Sequence, residues 1–193
     1  LHCHIDPDES VYGVDSNVIL KSGTTTAASQ GDAGASTIDR YAQAVRESGP
    51  LNVKMAINLS AVGESTAAAC FSDASWIDVG ACIDAIDRHR DFVWAIAVNS
   101  SHLACPDLDP RDVVNAALEV ASHTNLPLLF GMRRGEDWPL DEQLALLREG
   151  DVVTYCFRKS PHCIVDANKV QQCILDARAR GILFDVGHGC GSF

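Results

Sequence analysis

Apolar and polar positions along the chain follow two alternating periods. Seven short runs rich in apolar and β-branched residues predict strands at 1–5, 24–29, 53–59, 92–98, 128–132, 151–157 and 182–186. Between several of them, apolar residues recur at spacings of three and four, which predicts amphipathic helices around 79–86, 113–121, 140–147 and 170–177. Asp109-Pro110 is typical of a helix start, and Gly150 and Gly181 are typical of helix stops. The chain is therefore predicted to be a series of βα units.

Several predicted strands are apolar on both faces, as in the run VWAIAV at 93–98. Parallel strands that are covered by helices have this composition. Seven successive units without a reversal predict an α/β fold, a (β/α)8 TIM barrel that stops after its seventh strand. A whole barrel takes about 250 residues, so 1–193 is predicted to be a single partial domain. The Ala/Ser-rich segment 61–75 is predicted to be a long loop on the active face.

Composition and charge narrow the classes of partner. The chain has 15 Lys and Arg against 26 Asp and Glu, a net charge of −11, which argues against nucleic acid or an anionic membrane as partner. No apolar run approaches the roughly 20 residues of a membrane span. Eight cysteines without a CxxC pair favour reduced thiols in a cytoplasmic protein. The expected partner is a small-molecule substrate, and a homo-oligomer is left open. The chain begins directly at the His pair without an initiator Met and stops within a predicted loop, so the sequence is expected to be a piece of a longer protein.

The first predicted strand carries the pair His2 and His4. Residues i and i+2 of a strand point to the same face, so the two imidazoles would lie side by side at the spacing that a divalent metal needs. In a barrel the active site lies at the carboxyl ends of the strands. Other candidates for substrate binding lie at or just after the ends of predicted strands: Asn58, Tyr155, Asp185 and His188. A structural acceptor role for Asp185 and a turn role for His188 are the alternatives.

Basic residues add positive charge to the same predicted face of this acidic chain. They follow the fifth and sixth predicted strands: Arg133, Arg134, Arg158, Lys159 and His162. They are interpreted either as solvated loop charges or as a site that recognises a carboxylate. No nucleophile elbow, Walker motif or GxGxxG loop occurs, so triad hydrolases and nucleotide-binding proteins have no support.

The most specific motif is the tail RGILFDVGHGCGSF at 180–193. Together with the His pair, NLSAVG at 58–63 and LLREGD at 146–151, it resembles the amidohydrolase superfamily. The resemblance is to its amidohydrolase/deacetylase branch, close to dihydroorotase-like enzymes, and it spans essentially the whole chain. It implies a TIM barrel that hydrolyses C–N bonds with one or two divalent metals, zinc being the expected ion.

The resemblance also implies a ligand set. It comprises the strand-1 His pair, a carboxylated Lys from strand 4, a His from each of strands 5 and 6, and an Asp from strand 8. Only His2 and His4 match; Ala97, Gly131 and Tyr155 stand at the positions of the Lys and the two later His, and the Asp would follow Phe193. Zinc normally takes three protein ligands and a water. The pair is therefore expected to hold one ion at most, and weakly.

Three hypotheses follow. The first is a metal-dependent hydrolase of amide C–N bonds that works with one metal, and it is the expected activity. The second is a catalytically degenerate barrel that binds a small ligand or a protein. The third is a repurposed enzyme in which Tyr155, His188 and the basic loops perform metal-free or differently metallated chemistry.

Overall fold

The structure is a computed structural model, and it describes residues 2–5, 13–133, 135–158 and 163–187. Its strands are β1 (His2–Cys3), β2 (Thr26–Gln30), β3 (Asn52–Asn58), β4 (Val93–Asn99), β5 (Leu128–Gly131), β6 (Val152–Thr154), β7 (Val165–Asp166), β8 (Lys169–Val170) and β9 (Leu183–Phe184). Its α-helices are α1 (Ser16–Lys21), α2 (Ile38–Glu47), α3 (Val79–Arg88), α4 (Pro110–Thr124), α5 (Leu140–Ala145) and α6 (Gln172–Ala179). A 3-10 turn (Ala74–Trp76) precedes α3.

Seven of these strands form one parallel sheet in the order β1-β2-β3-β4-β5-β6-β9. Helices connect successive strands, so the predicted α/β architecture is confirmed, and it corresponds to the first seven strands of a (β/α)8 barrel. The antiparallel hairpin β7–β8 lies outside this sheet. Neither that hairpin nor the helices α1 and α2 were predicted from the periodicity.

The sheet curls so that its two ends approach each other. Thr154, at the end of β6, places its Oγ1 2.8 Å from Nδ1 of His2 on β1. Tyr155 reaches across in the same way, donating from its hydroxyl to Oε1 of Gln30 at the end of β2 over 3.1 Å. Since β6 is four strands from β2 in the sheet order, these contacts require strong curvature. The carboxyl ends of the strands thereby surround a common mouth.

Small side chains fill the concave side of the curled sheet. Ala56, Ala95 and Ala97 pack there with Leu129, and Trp94 and Val152 cover them. The larger apolar residues of the same strands, such as Ile57, Ile96 and Phe130, face the helices. Small residues inside and large residues outside let the strands curve tightly while the helices bury the convex face.

Helix α4 shows how local sequence sets an element. Asp109 accepts a hydrogen bond from the backbone N–H of Arg111 over 2.9 Å, and Pro110 takes the first helical position. Buried Val113, Ala117 and Val120 recur on one face of the helix. The helix ends at Asn125, whose φ of 57° is left-handed.

The loop between β3 and the 3-10 turn packs tightly on the loop that follows β2. A Cβ on Gly63, whose φ is +73°, would lie 2.6 Å from Cα of Ala33. The N–H of Glu64 donates to the carbonyl of Gly31 over 2.8 Å. This packing needs glycine at 63, and it brings Glu64 to the mouth of the sheet.

Two findings concern the whole described chain. No helix in it has the length and apolar character to cross a membrane. Its cysteines are free thiols: Cys3, Cys70, Cys82, Cys105, Cys156, Cys163 and Cys173.

Candidate active site

The two histidines of the sequence pair lie at the carboxyl end of β1, inside the mouth. Their ring centroids are 6.0 Å apart and their planes are inclined by 76°. The side chain of His2 is 5% exposed and that of His4 is 16% exposed. Two imidazoles are therefore presented together in a partly dry environment, as the i, i+2 spacing predicts.

The orientation of His2 is set through Nδ1. This atom lies 2.8 Å from Thr154 Oγ1 and 3.3 Å from Asp185 Oδ2, and the threonine hydroxyl donates to the same carboxylate over 3.0 Å. With the threonine hydrogen given to Asp185, Nδ1 must carry the imidazole hydrogen, which leaves a lone pair on Nε2. A Cβ at Gly187 would lie 2.7 Å from His2 Nδ1, so this approach needs glycine there.

Asp185 titrates below the ordinary range for an aspartate. Its partial burial alone would raise its pKa, but hydrogen bonds from His2 and Thr154 outweigh that effect, and the pKa is lowered. The carboxylate therefore stays charged and acceptor-only near neutral pH. That state is the one that holds His2 with its hydrogen on Nδ1.

The orientation of His4 is also set through Nδ1, by a carboxylate in the loop that follows β2. Its Nδ1 lies 2.6 Å from Oδ1 of Asp32, which is buried. Ser29 donates to the other oxygen of Asp32, Oδ2, while Ser65 reaches Oδ1 over 3.4 Å. The opposite ring atom, His4 Nε2, lies 4.0 Å from Oε2 of Glu64. Both imidazoles thus have Nδ1 occupied by an oxygen partner.

Glu64 brings an unusual carboxylate to the site. Desolvation by burial raises its pKa to about 7, and the opposing influences of His4 and of the Asn99 amide, which donates over 3.3 Å, only partly offset this. A Cβ built on Gly31 would lie 3.4 Å from Ala97 Cβ and 3.7 Å from Glu64 Oε1. Glu64 and Ala97, the position where the resemblance implies a carboxylated lysine, therefore border the same space beside Gly31.

At the other two replaced ligand positions, Gly131 and Tyr155, other side-chain contacts occupy the space. A Cβ at Gly131 would lie 2.8 Å from Oδ1 of Asn99, so any side chain there would displace Asn99. Tyr155 packs its ring against His2 with centroids 4.9 Å apart, and burial raises the pKa of its phenol well above the ordinary value. Tyr155 is thus a neutral hydrogen-bond donor at neutral pH.

The predicted substrate-binding residues fall into three groups. Asp185 and Tyr155 both contact His2 at the mouth. Asn58 is buried, and backbone groups engage its amide, which donates to the Gly31 carbonyl over 3.0 Å and accepts from the Ser60 N–H over 2.9 Å. His188 lies outside the described residues, as do Arg134, Lys159 and His162. Their roles in substrate binding stay predictions.

Sequence reasoning missed three residues that the fold brings to the histidines: Asp32, Glu64 and Thr154. Asp32 lies two residues after the end of β2, so an acid close to a strand end was a usable signal. Glu64 lies inside a long loop, where position along the chain says nothing about proximity. Thr154 makes its contact with a residue 152 positions away.

The donor set was compared with the needs of a divalent metal. Among the described residues, no group of three His, Cys, Asp or Glu side chains is arranged to hold an ion. Metal-binding histidines almost always use their second ring nitrogen to donate to an oxygen partner, and His2 and His4 both do so through Nδ1. Gln30 Nε2 is buried and has no hydrogen-bond partner that meets the full geometry among the described residues. Among the described residues, the two imidazoles are the candidate metal ligands, and no third His, Cys, Asp or Glu side chain completes the set.

Comparisons with known proteins extend the picture. No protein-family model matches the chain. A deacetylase of Enterococcus faecalis is 29% identical over 185 residues, which is 94% of this chain and 49% of that protein. A deacetylase of Agrobacterium fabrum is 26% identical over 178 residues, 89% of this chain and 42% of that protein. The chain therefore spans less than half the length of these two relatives.

Solved structures resemble the whole chain. An adenine deaminase superposes with a TM-score of 0.88 at 27% identity, and a dihydroorotase superposes with 0.83 at 23% identity. Both alignments cover 100% of this chain and about half of the other protein, 52% and 54% respectively. The likeness to the dihydroorotase shows the fold.

Fold and site together define a parallel (β/α)-barrel protein with a His-x-His pair at the carboxyl end of its first strand. The predicted resemblance to the amidohydrolase superfamily is confirmed by the deacetylase relatives and by the adenine deaminase structure.

Proposed function

We propose that this chain belongs to a metal-dependent hydrolase that cleaves an amide C–N bond of a small molecule. The names of the deacetylase relatives support hydrolysis of such bonds. The observation that carries metal dependence is the shared orientation of His2 and His4, whose Nδ1 atoms are both engaged by oxygen partners. In this arrangement the Nε2 atoms of His2 and His4 carry the lone pairs that would bind a metal ion.

His2 and His4 would hold one divalent ion, with zinc expected, through their Nε2 atoms. Such an ion, when bound, lowers the pKa of a water and polarises an amide carbonyl. Asp185 and Asp32 keep the two imidazoles oriented, because each carboxylate accepts at Nδ1. The neutral Tyr155 and the buried Gln30 exclude water beside His2.

Glu64 is the described carboxylate placed to move a proton. Its Oε2 faces His4 Nε2 at 4.0 Å, and its pKa of about 7 suits both acceptance and return of a proton near neutral pH. In this proposal Glu64 Oε2 takes a proton from the attacking water and passes it to the leaving amine. The resemblance assigns that work to a strand-8 Asp beyond Phe193, so Glu64 would assist or replace it.

Metal content and amide hydrolysis test the proposal together. After purification in zinc, the full-length protein should retain measurable metal, at most about one equivalent per chain, and should release acetate from an N-acetyl compound. His2→Ala should remove both. His123→Ala is the matched control, because His123 is exposed on α4, away from the mouth, and its ring lies 2.9 Å from a backbone carbonyl of its own helix. If the unaltered protein retained less than about 0.1 equivalent of metal per chain, metal dependence would be contradicted.

A second candidate is a barrel that has lost hydrolysis and binds a small ligand or a protein. It is favoured by Asn99, whose side chain occupies the space that a ligand side chain at 131 would need. Acetate release that disappears in His2→Ala would exclude a purely binding role. Release that survives exhaustive chelation would instead indicate metal-free chemistry.

A further inference from the structure

A cleft of about 220 Å³ opens beside the mouth, after β5 and β6. Two arginines line it, Arg133 and Arg158, together with the apolar side chains of Met132 and Leu140. None of its described lining residues is acidic, although the chain as a whole carries a net charge of −11. A local concentration of positive charge with apolar walls is the composition of a site for a small anion.

Arg133 is held in place by the protein backbone. Its Nη1 donates to the carbonyls of Ser100 over 3.1 Å and Cys105 over 2.8 Å, and its side chain is 11% exposed. Its Nε is buried without a hydrogen-bond partner among the described residues. The nearest carboxylate, Asp137, lies 3.6 Å from Nε and is also paired with His102. The guanidinium is thus fixed, and among the described residues its Nη2 has no hydrogen-bond partner, which leaves that group for a ligand.

Arg158 connects the cleft to the candidate active site. Its guanidinium carbon lies 5.0 Å from the centroid of the Tyr155 ring, a cation–π arrangement. The same ring contacts the imidazole of His2 at 4.9 Å. One aromatic ring therefore separates the Arg158 guanidinium from a histidine of the proposed metal site, a separation that a small substrate can span.

We propose that Arg133 and Arg158 bind a carboxylate of the substrate, so that the substrate is a small amide that also carries a carboxylate group. This inference rests on the proposed function. Guanidinium groups bind carboxylates through paired, charge-assisted hydrogen bonds. Met132 and Leu140 would contact the apolar part of the molecule. The amide would then face the histidines while its carboxylate lies in the cleft.

Binding measurements with a matched acid and amide test this inference. N-acetyl-DL-leucine and its neutral counterpart N-acetyl-DL-leucinamide differ in the carboxylate alone. Calorimetry with the full-length protein should show the acid binding about tenfold more tightly or better. Arg158→Gln should abolish that preference, and Arg158→Lys should keep part of it. Arg178→Gln, at an exposed position on α6 outside the cleft, should leave the preference unchanged.

Each outcome decides one of the two proposals. Equal or undetectable binding of acid and amide by the unaltered protein, or a preference that survives Arg158→Gln, would overturn the carboxylate cleft. A clear Arg158-dependent preference without any amide hydrolysis would support the cleft and contradict the proposed function. Hydrolysis of acid and amide with equal kcat/KM would support the proposed function and contradict the carboxylate cleft.

Discussion

At the scale of residues, the two histidines differ in how much of their setting could be predicted. Their common direction follows from the i, i+2 spacing on a strand. Their orientation depends on partners that are remote in the chain, since Asp32 lies 28 residues from His4 and Thr154 lies 152 residues from His2. A sequence read alone contains no sign of such pairings, which is why the tautomers could be inferred only from the fold.

Glu64 should make the stability of the metal-free protein depend on pH. Its pKa is about 7 in the fold against an ordinary 4.5, so between these values the folded chain keeps a proton that the unfolded chain has released. The free energy of unfolding therefore falls as pH rises through this window. Glu64→Gln should remove the penalty, gaining about 3 kcal/mol over the unaltered chain near pH 8 and little near pH 4.5.

The neighbours of Glu64 enter this prediction. His4 lowers its pKa and Asp32 raises it, so the experiment belongs in chelated protein, where no ion competes for these groups. Urea unfolding of both chains across this pH range is the measurement. Glu119→Gln, at an exposed position on α4, serves as control and should show no such pH-dependent gain. A Glu64→Gln protein that is less stable at every pH would contradict the prediction.

At the scale of elements, the periodicity of apolar residues predicted which strands exist better than it predicted where they begin and end. The sixth predicted strand extended to 157, but β6 ends at Thr154 because Tyr155 has a φ of 60°, which leaves the extended region. The hairpin β7–β8 was missed because its strands have two residues each and its turn uses Ala167 and Asn168 at positive φ. Ala at such a position is not a recognisable turn signal.

The cap of α4 offers a test at this scale. Asp109→Ala removes the side-chain acceptor for the N–H of Arg111, so the free energy of unfolding should fall by about 1 kcal/mol. Denaturant unfolding measures the loss. Asp107→Ala, an exposed acid two residues earlier, should change stability by less than about 0.5 kcal/mol. Equal losses in both variants would assign the effect to charge and not to capping.

At the scale of the whole molecule, curvature of the sheet produces the site. The His pair, the loop after β2, the loop carrying Glu64 and the end of β6 come from separate parts of the chain, and the curled sheet places them around one mouth. The small residues on the concave face permit this curvature. Basic side chains then concentrate at the neighbouring cleft of an acidic protein.

Protection of backbone amides should map onto this architecture. The strands β3, β4 and β5 each pair on both sides and are largely buried, so their amides should exchange most slowly. In the described sheet, β1 and β9 each pair on one side through two residues, so their amides should exchange sooner. Hydrogen–deuterium exchange of the 193-residue chain measures this order. Protection that is strongest in β1 and β9 would contradict it.

The sequence by itself determined the α/β class, the number of parallel strands and the shared face of His2 and His4, because these depend on spacings of two to four residues. It also identified Ala97, Gly131 and Tyr155 as departures from the pattern of the superfamily. Only the tertiary structure decided that Glu64 and Ala97 border the same space beside Gly31, that Asn99 occupies the space at Gly131, and that Tyr155 packs against His2. The physical reason is that these contacts join residues far apart in the chain, and the pairing of strands and the curvature of the sheet bring them together.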